Sequence, residues 1–363
     1  MASMTQIEWE PCLLTQHPAP ELERRFERET GRPGQLMRYL EGSPWLADTM
    51  VRVSVQVMTA VHIDPNLVDQ VGLVISQDNS CRFCFGMQRA FLRVLGMSEK
   101  RIAQLEHELL TGDFNPRERA ALEFARRLSR SKPLTSASDL LPLRDVGFSD
   151  EEIIELAGLA GMHLFLNRLS TFVALPPQPM ENFPDQWWLR LLRPLIAAKF
   201  RRMRHRGKPV ALLEVDHSGP MSDFVNALDG LPMARDLRIM IDRLWASSAL
   251  PARTVTLLFA VVARALDSTR GEREARGLLV GQGFERDDID QILTHLASPV
   301  LSEVEALLIP LARETVWYQP AQIQRRCAAL QSQLSNEQFL DFLGAVSLFN
   351  SLCRLEVIVG MRT

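Results

Sequence analysis

Apolar residues recur every third or fourth position along most of this chain, the interval that lines one face of an α-helix. From Cys81 the series Cys84, Met87, Phe91 and Leu95 keeps that interval until Gly96 ends it, and Asn79 and Ser80 ahead of it are good N-caps. The pattern predicts a helix from 81 to about 95 with two thiols in its first turn. Asp64-Pro65, a cap followed by proline at the first helical position, predicts a helix over 66–77. Ser98 opens a short helix to about 109. Asn115-Pro116-Arg117-Glu118 adds a capping box, with Leu122, Ala125 and Leu128 on the buried face. Ser149-Asp150-Glu151-Glu152 is another, opening a long apolar helix through Ile153, Leu156, Met162, Phe165 and Leu169 before Pro176-Pro177. Helical spacing also begins at Gln35 and again at Ser43-Pro44-Trp45, the latter running to about His62. There Val51, Val53, Val55 and Val57 alternate with Arg52, Ser54 and Gln56, the template of a half-buried strand.

The second half of the chain arbitrates. A displacement of 187 positions carries Gly96-Met97 onto Gly283-Phe284 and Ala125-Arg126 onto Ala312-Arg313. At 186, Ser149-Asp150-Glu151-Glu152 falls on Ser335-Asn336-Glu337-Gln338, and Arg168-Leu169 on Arg354-Leu355. Two copies of one helical unit explain this. The partner of the valine stretch is 237–245, where Leu237, Ile241, Leu244 and Trp245 keep helical spacing, so 51–61 is read as helix too. The organisation expected is all-α: an arm over 1–34 broken by Pro11, Pro18, Pro20 and Pro33, a unit over 35–177, a linker over 178–215 and a second unit over 216–363. The copies differ at the thiols: Cys81 meets Ser268, Cys84 meets Gly271 and Gln88 meets Ala275. Cys327 and Cys353, in other helices of the second copy, read as core cysteines.

Composition narrows the setting. With 363 residues, 46% hydrophobic and 23% charged, the chain has a soluble globular balance and length for two domains. A net charge of -3 gives no overall pull toward nucleic acid or an anionic membrane. No uninterrupted apolar run approaches spanning length and residues 1–7 lack the features of a signal peptide, so a cytoplasmic location is the default expectation. The linker carries an amphipathic stretch over 184–208: Trp187, Trp188, Leu191, Leu192, Leu195, Ile196 and Phe200 on one face, then Lys199, Arg201, Arg202, Arg204, Arg206 and Lys208. Such a helix packs between the units with its basic end solvated, or meets an acidic partner or a membrane surface.

Five scattered cysteines, Cys12, Cys81, Cys84, Cys327 and Cys353, form no disulfide framework. In a reducing compartment a close pair is catalytic, redox-sensing or metal-binding. At a helix N-terminus, unpaired N–H groups and the macrodipole stabilise a thiolate, and the spacing lets the two sulfurs reach each other. Half a zinc site is the competing reading, with no second pair or His-x-x-x-His downstream to complete it. Two small buried hydrophobes is another. No metal or cofactor is expected. His62 and His163 are alternative bases, His163 on an apolar helix where a core histidine is the simpler role. Arg82, between the thiols, reads as an anion stabiliser or a solvated charge, and Asp78 as a helix-terminus residue.

Taken together, the Cys-x-x-Cys helix, Pro-Arg-Glu-Arg-Ala-Ala-Leu-Glu-Phe-Ala at 116–125, and Phe-Ser-Asp-Glu-Glu-Ile at 148–153 before an Asn-Arg-Leu helix resemble the alkylhydroperoxidase-D-like, or carboxymuconolactone decarboxylase, family. The resemblance covers about 35–175 and, more weakly, 220–360. It implies two units packed as an internal pseudo-dimer, with a further homodimer. It also implies a proton relay made of a glutamate twelve residues before the first cysteine and a histidine four after the second. Those positions hold Asp69 and Gln88. Aspartate keeps the charge on a shorter arm; glutamine cannot take up a proton near neutral pH. The implied activity is a slow thiol-dependent peroxidase or disulfide reductase at Cys81, Cys84, Asp69 and Gln88, with a hydroperoxide or disulfide substrate and an external thiol reductant. The resemblance makes Cys84 the attacking thiol, whereas helix position favours Cys81. Two other readings stand beside it: a decarboxylase-like lyase, whose branch ordinarily lacks the redox pair, and a non-catalytic helical binding protein with a vestigial pair.

Overall fold

The computed structural model describes residues 8–107, 109, 112–177, 194–199, 201–202, 219–247 and 249–361, and every regular element among them is helical. The first half holds α1 (Pro20–Thr30), α2 (Pro44–Gln56), α3 (Pro65–Asp78), α4 (Arg82–Leu95), α5 (Glu99–His107), α6 (Pro116–Ser129), α7 (Leu141–Asp145) and α8 (Asp150–Phe172). The second holds α9 (Ser222–Ala227), α10 (Pro232–Trp245), α11 (Ala252–Leu266), α12 (Thr269–Gly281), α13 (Arg286–His295), α14 (Glu303–Glu314), α15 (Pro320–Gln331), α16 (Asn336–Leu352) and α17 (Glu356–Val359).

The helices start where sequence chemistry places them. Asp64, Asn115 and Ser149 cap α3, α6 and α8 through their side chains, the last two as full capping boxes. From Ile153 to Phe172 every residue of α8 is buried, as is every residue of α16 from Phe339 to Leu352. Helices apolar all round belong in an interior, and these two pack on each other across the seam between the halves. Polar contacts stitch the same seam. Trp45 Nε1 donates to Met240 O at 2.9 Å, and Asp236 accepts from Arg52 at 2.7 Å and Gln56 at 2.6 Å.

Two buried arginines reach across it reciprocally. Arg168 Nη1, from α8, donates to the carbonyls of Thr315 (2.5 Å) and Val316 (3.1 Å) just beyond α14. Arg354 Nε donates to Arg130 O (3.3 Å) at the end of α6, and its Nη2 to Ser131 Oγ (2.8 Å). Each guanidinium thus meets the orphan carbonyls and negative dipole end of a helix from the other half.

Three expectations are corrected. Residues 20–30 of the N-terminal segment form α1, because Pro20 sits at the start of a helix, where its missing N–H costs nothing. The segment 51–61 is helical only to Gln56. Beyond it the backbone N–H groups of Val61, His62 and Ile63 turn onto the buried Glu155 carboxylate at 2.5, 2.6 and 2.8 Å, which stops the helix short of His62. The cap of the thiol helix is Cys81 itself, not Asn79 or Ser80. Asn336–Val359, interrupted by Glu337, Asp341, Arg354 and Glu356, is long and apolar enough to cross a membrane by length and composition, and 89% of its most apolar window is buried inside the protein. Most of the amphipathic stretch over 184–208, including Trp187, Trp188, Leu191, Leu192, Phe200, Arg204, Arg206 and Lys208, lies outside the described residues. Within it Leu195 is exposed, and Arg201 donates to Leu95 O at 3.2 Å.

Candidate dithiol site

The end of α3 aims the thiols. Asn79 Nδ2 turns back to Ile75 O (2.9 Å), and Ser80 takes a left-handed φ of 53° that reverses the chain. Cys81 N–H then donates to Ser76 O (2.9 Å). Cys81 is left extended as the N-cap of α4, and its sulfur accepts the Cys84 backbone N–H at 3.4 Å. A sulfur here occupies the place of an N-cap oxygen, where negative charge is favoured.

Both thiols are buried and neither is in a disulfide. Burial opposes ionisation of Cys81. The Cys84 thiol and the N–H groups of Cys84 and Phe83 outweigh it, with the Thr171 hydroxyl within reach but not well aligned, and its pKa falls below the ordinary thiol value. Burial, followed by the neighbouring Cys81 sulfur, pushes Cys84 well above that value, against the contrary pull of Ser170 and Arg32. When the pair loses a proton, it is therefore Cys81 and not Cys84 that gives it up.

Cys84 Sγ lies 3.8 Å from Ser170 Oγ and lines a small cavity of about 20 Å³ with Arg32, Met50, Ser54, Phe83 and Ser170. That is space for about one water-sized molecule. Arg32 is fixed there by Ser54 O (2.7 Å) and by the Phe91 ring, whose centroid lies 5.4 Å away. On its other side Cys81 faces Thr171, and beyond it Tyr318, which comes from the second half. The Arg168 guanidinium lies 4.7 Å over the Tyr318 ring.

Gln88, one of the two expected relay residues, meets His163 one turn along α4 from Cys84. A Cβ on Gly72 would fall 2.6 Å from His163 Cε1 and 2.8 Å from Gln88 Cδ, so the imidazole and the amide both press on bare backbone at this point of α3. Gln88 Oε1 and His163 Nε2 are buried without a hydrogen-bond partner. Burial and then Arg32 push His163 down to about 3, while a hydrogen bond to Val68 O opposes them, so the ring is neutral at physiological pH. Asp69, next to Val68, is buried on the same helix. The other candidates stand elsewhere. His62 is exposed in the loop held by Glu155, the Arg82 guanidinium lies 4.6 Å over Trp9, and Asp78 pairs with Arg126 at 2.8 Å. Among the described residues no three His, Cys, Asp or Glu side chains cluster as metal ligands.

Arg32, Ser170, Thr171 and Tyr318 are the site residues that sequence reasoning missed. Ser170-Thr171 carried a signal, being adjacent hydroxyls in an otherwise apolar helix. Arg32 and Tyr318 carried none, since their proximity to the thiols is purely tertiary.

No family model matches the chain, and no curated protein matches it. Among solved structures it is similar to an alkylhydroperoxidase AhpD core, an uncharacterized peroxidase-related protein from Ralstonia eutropha JMP134. The likeness covers 47% of this chain and 95% of that one, at 18% identity and a TM-score of 0.40.

Proposed function

We propose that the protein is a slow thiol-dependent peroxidase of the alkylhydroperoxidase-D type, with the two halves acting as an internal pseudo-dimer in which only the first carries the dithiol. One observation carries this reading: Cys81, the sulfur N-cap of α4, is hydrogen-bonded by Cys84, and Cys84 lines the small cavity beside Arg32. Cys84 passes its proton to the Cys81 thiolate and attacks the near oxygen of a hydroperoxide. The O–O bond breaks, the leaving alkoxide takes the proton from Cys81, and Cys84 is left as a sulfenic acid. Cys81 then attacks the Cys84 sulfur and expels hydroxide, which becomes water with a solvent proton. Two electrons have left the dithiol, giving a Cys81–Cys84 disulfide, an alcohol and water. An external thiol restores the pair. Arg32 favours the transient Cys84 thiolate.

Slowness follows from Gln88. A positioned general base contributes about 10²- to 10⁴-fold, and neither an amide nor a histidine held near 3 supplies one at neutral pH. Those same two residues favour a second reading, a helical binding protein with a vestigial pair. Hydroperoxide turnover with dithiothreitol as reductant separates them. Cys81→Ser and Cys84→Ser each abolish it if the first reading holds, and Gln88→His raises it at least about tenfold. Turnover unchanged in both serine variants would sink the peroxidase.

A further inference from the structure

A cleft of about 730 Å³ opens between the halves on the Cys81 side of the pair, away from the cavity at Cys84. Asn79 and Ser80, the two residues before Cys81, form part of its wall. Its charged lining is Asp78, Arg130, Lys132 and Arg168. Asp78 is paired with Arg126 at 2.8 Å and only loosely with the exposed Arg130 at 3.8 Å, so the cleft presents a positive surface. Lys132 bonds Asp267 at 3.0 Å, but that pair is exposed and weak, and the same ammonium lies 5.1 Å from the ring of Trp317, which is 60% exposed at the cleft wall.

At the back of the cleft stands Arg168, only 4% exposed. Its partners, and those of neighbouring Arg354, are carbonyls, the Asn350 amide oxygen and the Ser131 and Tyr318 hydroxyls. Two full positive charges are therefore buried against partial negative charges alone, and a buried cation of this kind is stabilised by any anion that reaches it. Between the cleft wall and the buried Cys81, Arg168, the Tyr318 hydroxyl and the Thr171 hydroxyl stand in series, each within reach of the next, while Arg168 Nε, Tyr318 Oη and Thr171 Oγ1 make no well-aligned hydrogen bond. Buried donors held this loosely accept a better-placed acceptor group.

We infer that this cleft is the docking site for a small anionic disulfide, or the pair of thiols it yields, with the carboxylates held by Arg168, Arg130 and Lys132 and the sulfur atoms delivered past Tyr318 to Cys81. The inference rests on the redox reading above and names its co-reactant. In the exchange, the Cys81 thiolate attacks one substrate sulfur and forms a mixed disulfide, and the first thiolate leaves with the proton of Cys84. Cys84 then attacks the Cys81 sulfur, forming the internal disulfide, and the second thiolate leaves and takes a solvent proton. The dithiol loses two electrons and the substrate disulfide gains them; reduction of the resting disulfide by two anionic thiols is the reverse.

The test compares oxidation of the reduced full-length protein by 3,3′-dithiodipropionate and by cystamine, small disulfides of opposite charge, each rate normalised to that with dithiothreitol. The expected result is a preference for the dianion of at least about tenfold, shrinking at high salt and lost in the Arg130→Gln/Lys132→Gln double variant. Trp317 fluorescence in the Cys81→Ser/Cys84→Ser protein provides a readout independent of redox chemistry, and titrates with dithiodipropionate but not with cystamine. If neither disulfide oxidises the pair while that titration still saturates, the redox reading fails and the anion site stands. Equal normalised rates, a preference for cystamine, or no titration overturn the site.

Discussion

The two halves build the same corner twice and fill it differently. Cys81 caps α4 by accepting the Cys84 N–H at 3.4 Å, and Ser268 caps α12 by accepting the Gly271 N–H at 3.3 Å. Around the thiol pair stand hydroxyls, Thr171 at Cys81 and Ser170 at Cys84; at Ser268 stands the Glu356 carboxylate, which accepts the serine hydroxyl's hydrogen bond at 2.6 Å. One turn deeper the contrast widens. Gly72, Gln88 and His163 in the first half correspond, under the displacements of 187 and 186, to Phe259, Ala275 and Phe349 in the second. There the Phe259 and Phe349 rings pack at 5.3 Å, and Trp245 joins them at 6.4 and 5.6 Å. The same helix geometry thus encloses two different interiors. The first half keeps unsatisfied polar atoms where the second half has aromatic packing.

Breaking that packing is expected to have the largest effect on stability. Phe259→Ala removes a fully buried ring and costs about 3–5 kcal/mol in chemical denaturation. A smaller effect tests the loop anchors. Glu155 holds three backbone N–H groups, whereas Asp341, its counterpart, holds the hydroxyls of Ser43 and Ser247. Glu155→Ala is expected to cost about 3 kcal/mol and Asp341→Ala about half of that, because stranded backbone donors have no rotamer by which to find water. Equal losses would contradict this. Gly72→Ala comes next, at about 1–3 kcal/mol, because its methyl group collides with His163 and Gln88.

The smallest effect is a pH dependence. Glu274 stands where the first half has Met87, and burial pushes its pKa up to about 7. Because the folded protein holds this proton more tightly than the unfolded chain, the contribution to stability is complete below the unfolded pKa near 4.3 and is lost as pH rises to about 7. Glu274→Gln, which keeps an acceptor for the Met221 N–H, is expected to raise Tm at pH 8 and to leave it nearly unchanged at pH 4. A uniform shift at both values would contradict the assignment.

What the sequence disclosed was local. Asp64-Pro65, Asn115 with Glu118, and Ser149 with Glu152 each fixed a helix start through contacts within four residues, and the Cys-x-x-Cys spacing by itself placed two thiols in one turn. Where a local pattern competed with a distant partner, the distant partner won. Residues 57–61 read as helix, yet Glu155, more than ninety positions away, claims the N–H groups of Val61, His62 and Ile63. Arg32 and Tyr318 could not be foreseen at all, one lying before the first unit and the other in the second. Ser80 and Cys81 were misassigned for a subtler reason. Serine is the better cap by propensity, but here it spends its backbone on the left-handed turn that reverses the chain, and the cap passes to the thiol.

The most direct test is peptide mapping of the reduced protein after brief exposure to substoichiometric hydrogen peroxide, with all remaining thiols alkylated. The expected result is a single changed peptide, the one spanning Cys81 and Cys84, lighter by two hydrogens, while Cys327 and Cys353, whose thiols burial pushes far above the ordinary range, the latter to about 12, stay reduced. Oxidation that spares the Cys81–Cys84 peptide, or that falls first on Cys12, Cys327 or Cys353, would contradict a redox role for the first half.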